Sequence, residues 1–236
     1  MLDGPYTYLI LNLGTFFFPL VLSFDKKVAY YKTWKYLFPS IAIVGIFFIA
    51  WDVWFTQNGV WSFNKPYLIG VDIINLPLEE WLFFITIPYA CIFIYECLRG
   101  WFSLKLNESF LNVLTFGGAS FLLIVAVINY EKAYTSITFS LLAIFLILQR
   151  VVFKKKLEHY FYAAYAIALL PFMVVNGVLT ANPVVIYNNS ENLGFRVTTI
   201  PFEDIWYGML LILMNVFILE LLRNTKQVSK EKETQS

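Results

Sequence analysis

Two pairs of adjacent acids, Glu79-Glu80 and Glu203-Asp204, open long apolar runs in this chain of 236 residues. A carboxylate within or beside a membrane-spanning segment costs several kcal/mol unless it is paired or hydrated, so such acids call for an explanation. Each pair follows a proline, Pro77 or Pro201, by two residues. Proline suits the first helical position, which places the acids in the first turn of a helix. There they have two readings: acids that favour the helix dipole from within the headgroups, or members of a site. Two carboxyl pairs brought together cannot all ionise cheaply, and a shared or retained proton lets one site hold an acid and a base. Aromatic residues crowd the same stretches: Trp81, Phe83 and Phe84 follow the first pair, Trp206 and Tyr207 lie beside the second, and Trp51, Trp54 and Trp61 border the preceding loop. One reading is an aromatic belt at the membrane interface. The other is a set of rings whose negative faces shield and stabilise a carbocation.

The elements that must position these residues are membrane helices. Hydrophobic residues are 59% of the chain, charged residues 14%, and the mean hydropathy is +0.67, which excludes an ordinary soluble globule. Apolar runs of membrane-spanning length fall at 5–24, 36–56, 77–98, 112–130, 135–153, 160–180 and 201–223, predicting an all-α polytopic bundle of seven transmembrane helices. With seven crossings, one side receives Lys26, Lys27, Lys32, Lys35, Arg99, Lys105, Arg150, Lys154, Lys155, Lys156, Arg223, Lys226, Lys230 and Lys232, and the other only Lys65, Lys132 and Arg196. Positive loops stay in the cytoplasm, so the expected N-terminus is outside, the C-terminus is cytoplasmic, and the cytoplasmic membrane of a prokaryote is the natural location. The first run ends in Asp25-Lys26-Lys27 without a small-residue cleavage site and reads as a retained helix. The polar tail from Asn224 to Ser236 reads as disordered. A net charge of +1 and a pI near 7.7 leave no basic excess for a nucleic-acid partner.

Sliding the chain by 124 residues superposes 36–99 on 160–223 without a gap. Gly70 meets Gly194, Pro77 meets Pro201, Glu79 meets Glu203, Glu80 meets Asp204, Glu96 meets Glu220 and Arg99 meets Arg223. Apolar composition does not align Gly, Pro, acid pairs and Glu-x-x-Arg by chance. The reading is two parallel three-helix repeats, 1–111 and 135–223, joined by a linker helix at 112–134 and followed by the tail at 224–236. Such bundles bind substrate between the repeats, where equivalent residues face each other.

Other polar residues have simpler explanations. Glu96 and Glu220 each precede an arginine by three residues and read as intrahelical ion pairs with snorkelling arginines. Asp52, Asp72, Asn75, Asn12 and Asn176 read equally as hydrogen-bonding groups near the outer end or as helix contacts and caps. His159, the single histidine, adjoins Lys154-Lys155-Lys156 and reads as solvated. Cys91 and Cys97 point to nearly opposite sides of one helix and cannot bridge. No His/Cys cluster, Gly-rich phosphate loop, dinucleotide fingerprint or Asp-rich motif is present, so neither a metal nor a cofactor is expected.

With PLEEW at Pro77 and PFEDIW at Pro201 inside a three-plus-one-plus-three bundle, residues 5–223 resemble the membrane-integral lycopene cyclase family. Its two homologous domains occur as separate subunits in some bacteria and fused in others, in archaea and in fungi. The resemblance implies a redox-neutral isomerisation of lycopene, drawn from the bilayer, with no cofactor and with other carotenoid-pathway enzymes as possible neighbours. A carboxylic acid protonates the terminal double bond, the neighbouring alkene attacks the tertiary cation, and a base removes a ring proton. The product end is a β-ionone ring, as in γ-carotene or β-carotene. By motif position the catalytic roles fall on Glu79, Glu80, Glu203 and Asp204. The identical pair Glu79 and Glu203 stands first as proton donor, with Glu80 and Asp204 as tuning groups or base; Trp81, Phe83, Phe84, Trp206, Tyr207, Trp51 and Trp54 are the candidate cation-stabilising rings.

Two other functions compete. A small parallel-repeat transporter shares the helix plan, but its site belongs at Pro-interrupted helices, and Pro19, Pro39, Pro88 and Pro171 do not coincide under the 124-residue offset. A carotenoid hydratase protonates the same alkene and then admits water. A retinal-binding receptor is disfavoured because the seventh span carries no lysine for a Schiff base.

Overall fold

A computed structural model describes residues 3–153 and 157–233; Lys154, Lys155 and Lys156 lie outside the described residues. In hydrocarbon every backbone donor and acceptor must be paired within its own segment, so the apolar runs become helices. They are α1 (Thr7–Leu22), α2 (Trp34–Gln57), α3 (Leu78–Trp101), α4 (Glu108–Ile128), α5 (Ala133–Phe153), α6 (Glu158–Ala181) and α7 (Phe202–Glu233). All but α1 are long and apolar enough to cross a membrane. Helix α1 has 16 residues, which gives about 24 Å of rise. The segment after α1 reaches the far end of α3: a β-carbon on Gly100 would stand 3.9 Å from the Lys27 carbonyl oxygen. Within α4 the helix loosens into a π turn over Val113–Gly117, just before Gly118.

The repeat is visible element by element. Helices α2 and α6 each have 24 residues and start 124 positions apart. Between α2 and α3 lie β1 (Trp61–Phe63), β2 (Asp72–Ile73) and β3 (Leu76–Pro77); between α6 and α7 lie β4 (Val185–Tyr187), β5 (Arg196–Val197) and β6 (Ile200–Pro201). Strands β2 and β3 form one tight hairpin, β5 and β6 its counterpart. Strand β1 pairs antiparallel with β4, and Ser62 stands opposite Ile186, the same position of each repeat. A residue paired with its own equivalent marks the pseudo-twofold axis. Around that axis the repeats interlock: α2 packs on α7 and α3 on α6, while α1 lies on α3 and α5 on α7 within each half. The central core includes Phe48, Phe55, Phe84, Phe139, Leu210 and Val216, all buried.

Three local expectations need correction. Glu96-Arg99 and Glu220-Arg223 are more than intrahelical pairs. Arg223 reaches Glu96 of the other repeat at 2.8 Å as well as its own Glu220 at 2.7 Å, and Arg99 bonds Glu220 while its own Glu96 stands 3.7 Å away. Two equivalent ion pairs that meet at a symmetry axis exchange partners. The tail expected to be disordered from Asn224 continues as helix to Glu233, because Lys, Glu and Gln are good helix formers; 234–236 lie outside the described residues. Pro77 is the residue before α3 rather than its first helical residue, with φ −64° and ψ 149°. It ends a strand and needs no amide hydrogen there, and Glu79 and Glu80 still occupy the first turn.

Candidate active site

Each acid pair is delivered by its hairpin. The chain enters through Gly70 and Gly194, at φ +81° and +72°, and turns through Ile74 and Thr198, at φ +63° and +59°. The left-handed conformation is easy for glycine and costly for β-branched residues, so the two turns are held by their surroundings. The first acid of each pair supplies part of that hold. Glu79 accepts the Ile69 amide at 2.8 Å, and Glu203 accepts the Leu193 amide at 2.7 Å and the Thr135 hydroxyl at 2.6 Å. Both are fully buried. Asn12 donates to the Glu79 carbonyl at 2.9 Å and accepts from Thr86 at 2.8 Å, tying α1 to the start of α3.

The second acid of each pair faces a chamber between the repeats. Glu80 and Asp204 line the same cavity of about 70 Å³, together with Tyr8, Trp61, Tyr134, Tyr187 and Tyr207. Tyr8 donates to Glu80 Oε2 at 2.6 Å. Tyr134 donates to Asp204 Oδ1 at 2.6 Å, and Tyr187 to Oδ2 at 2.8 Å. Both oxygens of Asp204 are therefore engaged as acceptors, which suits an ionised carboxylate, whereas Glu80 has one oxygen without a phenol donor. Burial, with Asp204 alongside, pushes the Tyr187 hydroxyl well above the usual phenol range and keeps it a donor. None of the ion pairs found among the described residues involves these four acids.

An apolar groove of about 660 Å³ adjoins this chamber along α1, α3, α6 and α7, past Leu11, Phe18, Ile94 and Pro171. The groove and the chamber share Phe83, Ile87, Phe172, Asn176 and Gly208. The carboxyl groups thus line the chamber and none lines the groove beside it.

The structure sorts the candidate rings. Phe83 and Tyr207 line the chamber. Trp51 stands behind Tyr207, with ring centroids 5.2 Å apart, and Phe84 packs on Phe48 at 5.9 Å. Trp54 is half exposed on the outside, Trp206 packs against Phe139 and Phe202, and Trp81 is not among the lining residues. Sequence reasoning passed over Tyr8, Tyr134 and Tyr187. Tyr8 and Tyr134 are equivalents, but at an offset of 126, because the first helix of the second repeat is displaced by two residues. A search allowing a two-residue gap before 36 and 160 would pair them.

Other polar candidates are also placed. Asp52 is buried and accepts the Trp61 indole N–H at 2.6 Å, whereas its equivalent Asn176 lines both spaces. Asn75 donates to the Val53 carbonyl at 2.9 Å, and Asp72 is exposed in β2. His159 is not simply solvated: its Nδ1 accepts the Leu106 amide at 3.0 Å. Its neighbour Glu158 is fully buried and bonds Arg150, Gln149 and Thr115, fastening α4, α5 and α6 together. Cys91 lines the groove and Cys97 is buried, both as free thiols. Among the described residues no three of His, Cys, Asp and Glu gather as a metal site.

Comparison with known proteins agrees with this architecture. The lycopene cyclase family model matches residues 5–98 and 131–222, leaving out the whole of α4. The chain is 33% identical over 81 residues to a bifunctional lycopene cyclase/phytoene synthase of Leptosphaeria maculans, covering 34% of this chain and 12% of that protein. A protein of the same description from Pyrenophora tritici-repentis is 35% identical over 79 residues, covering 34% of this chain and 13% of its own length. The matched part thus spans about an eighth of these relatives. No solved structure matches.

Proposed function

Because the chain belongs to the lycopene cyclase family, we propose that it closes a β-ionone ring at a linear end of lycopene, with Glu80 as proton donor and Asp204 as base. The observation that carries this reading is the placement of Glu80 and Asp204 on one cavity beside an apolar groove. The Glu80 carboxyl gives its proton to the terminal double bond, leaving a tertiary cation. The electrons of the neighbouring double bond form the ring bond and move the cation into the ring. Asp204 then removes a ring proton and a new ring double bond forms, so the product is an isomer of the substrate and one proton has passed from acid to base. The faces of Phe83, Trp61 and Tyr207 favour the cation over its neutral precursor. Water would trap the same cation as an alcohol, and a small, mostly apolar chamber keeps it away.

Glu79 and Glu203 are assigned a positioning role, since one carboxyl oxygen of each accepts the amide just before its hairpin. The lysine-rich helix ends are placed in the cytoplasm, which puts the chamber near the outer face of the cell membrane. Pigment extracts from lycopene-accumulating cells expressing the chain test the reading. The expected product has the mass of lycopene and absorbs at shorter wavelength, and isolated membranes given preformed unlabelled lycopene in heavy water add one deuterium per ring. A gain of water would replace cyclisation by hydration, and unchanged pigment with the protein in the membrane would overturn both.

A further inference from the structure

The two repeats differ in bulk where the groove meets the chamber. Gly208 and Val175 of the second repeat stand where the first has Phe84 and Trp51. Phe84, Trp51 and Phe48 are buried together, with Phe48 5.9 Å from Phe84 and 5.5 Å from Trp51 between ring centroids. Tyr207 closes the stack at 5.1 Å from Phe48 and 5.2 Å from Trp51. One face of the bundle is therefore filled with rings. On the pseudo-equivalent face Phe172, the counterpart of Phe48, lines both groove and chamber, and no ring stands at Gly208.

We propose that Gly208 is a specificity-determining residue: its missing side chain keeps open a single apolar doorway through which one extended hydrocarbon end reaches the acids, while Phe84 seals the matching position. The identity of the occupant rests on the cyclisation reading. Its chemical class follows from the groove, whose lining holds no charged side chain and which shares Phe83, Ile87 and Phe172 with the chamber. From Phe83 to Ile94 the groove follows α3 for about 16 Å, a length for an extended chain. A β-carbon at Gly208 would lie 3.5 Å from Phe172 Cε2 and 3.6 Å from the Tyr165 hydroxyl, in ordinary contact. A methyl group touches both; a larger side chain presses on Phe172 and Tyr165, which line the groove.

The test compares Gly208→Ala, Gly208→Leu and the lipid-facing control Ile124→Phe, purified in detergent after expression with lycopene. Two quantities are read: lycopene retained through purification, and kcat and KM for ring formation. Gly208→Ala is expected to raise KM a few-fold, and Gly208→Leu to lower kcat/KM about tenfold or more with loss of retained pigment. Ile124→Phe should match the unsubstituted chain. Should Gly208→Leu fail to insert, Gly208→Ala decides through the KM effect, which a loss of folded protein does not produce. Wild-type retention and KM in the glycine variants, or no pigment retained by the unsubstituted chain, would overturn the doorway. Retention that depends on Gly208 without any ring formation would keep the doorway and sink the cyclisation reading instead.

Discussion

Adjacent acids have different surroundings because a helix turns each residue through about 100°. Glu79 and Glu203 turn back to the amides just before the hairpins, and Glu80 and Asp204 turn to the chamber. Replacing Glu80 by Gln removes the transferable proton and is expected to lower ring formation by about 10²-fold or more, with Asp204→Asn similarly affected. Glu79→Gln and Glu203→Gln should lower the amount of folded protein more than the rate per molecule. Product yield normalised to membrane-inserted protein separates the two patterns, and the reverse ranking would return the donor role to the identical pair. Phenol hydroxyls set the acids apart as well. Tyr134→Phe or Tyr187→Phe strips one hydrogen bond from Asp204, a loss of about 1.5–3 kcal/mol for a charged acceptor, and should cost roughly tenfold or more in rate. Steady-state kinetics on purified variants would measure it.

At the scale of the element, the two hairpins act as fixed rulers. Each runs from a left-handed glycine through a two-residue strand pair to a proline, and each places its acids at the same distance from the turn. Gly194→Val forces a β-branched residue to φ +72° and should destabilise the fold by about 1–2 kcal/mol. A drop in the thermal midpoint with a parallel loss of ring formation is the expected outcome; an unchanged midpoint would mean that the turn relaxes. The hairpins were only partly legible. The recurrence of Gly and Pro at the 124-residue offset is legible, but the prolines read as helix starts, and nothing in the residue types marks Ile74 and Thr198 as left-handed, because tertiary contacts override their preference.

The whole molecule is two interlocked halves held at both ends. At one end β1 pairs with β4; at the other Arg99 and Arg223 bond across to Glu220 and Glu96. Residues 1–111 and 112–236 made as separate chains should therefore be inactive alone and active when coexpressed. Arg99→Glu should weaken that assembly by about 1 kcal/mol, since Arg99 is 36% exposed and partly screened, and Glu220→Arg in the other chain should restore it. Co-purification of the halves reads out both steps. Activity in one half alone would mean that each repeat carries a complete site.

Spans, repeat and acids were all legible in the sequence because each rests on a local rule. Hydrocarbon demands long apolar runs, and a duplicated segment keeps the Gly, Pro and acid spacings that its turns require. The tertiary structure alone decided which acid of each pair meets the chamber, which phenols from α1, α5 and β4 bond to it, and which face of the bundle is open. Those outcomes depend on residues far apart in the chain, Tyr8 bonding Glu80 and Phe48 packing on Tyr207 among them, brought together by helix rotation and by the crossing of the two repeats. Near-identical local motifs cannot encode the difference between their halves. It arises where Phe84 is buried against Phe48 while Gly208, which lines both groove and chamber, carries no ring.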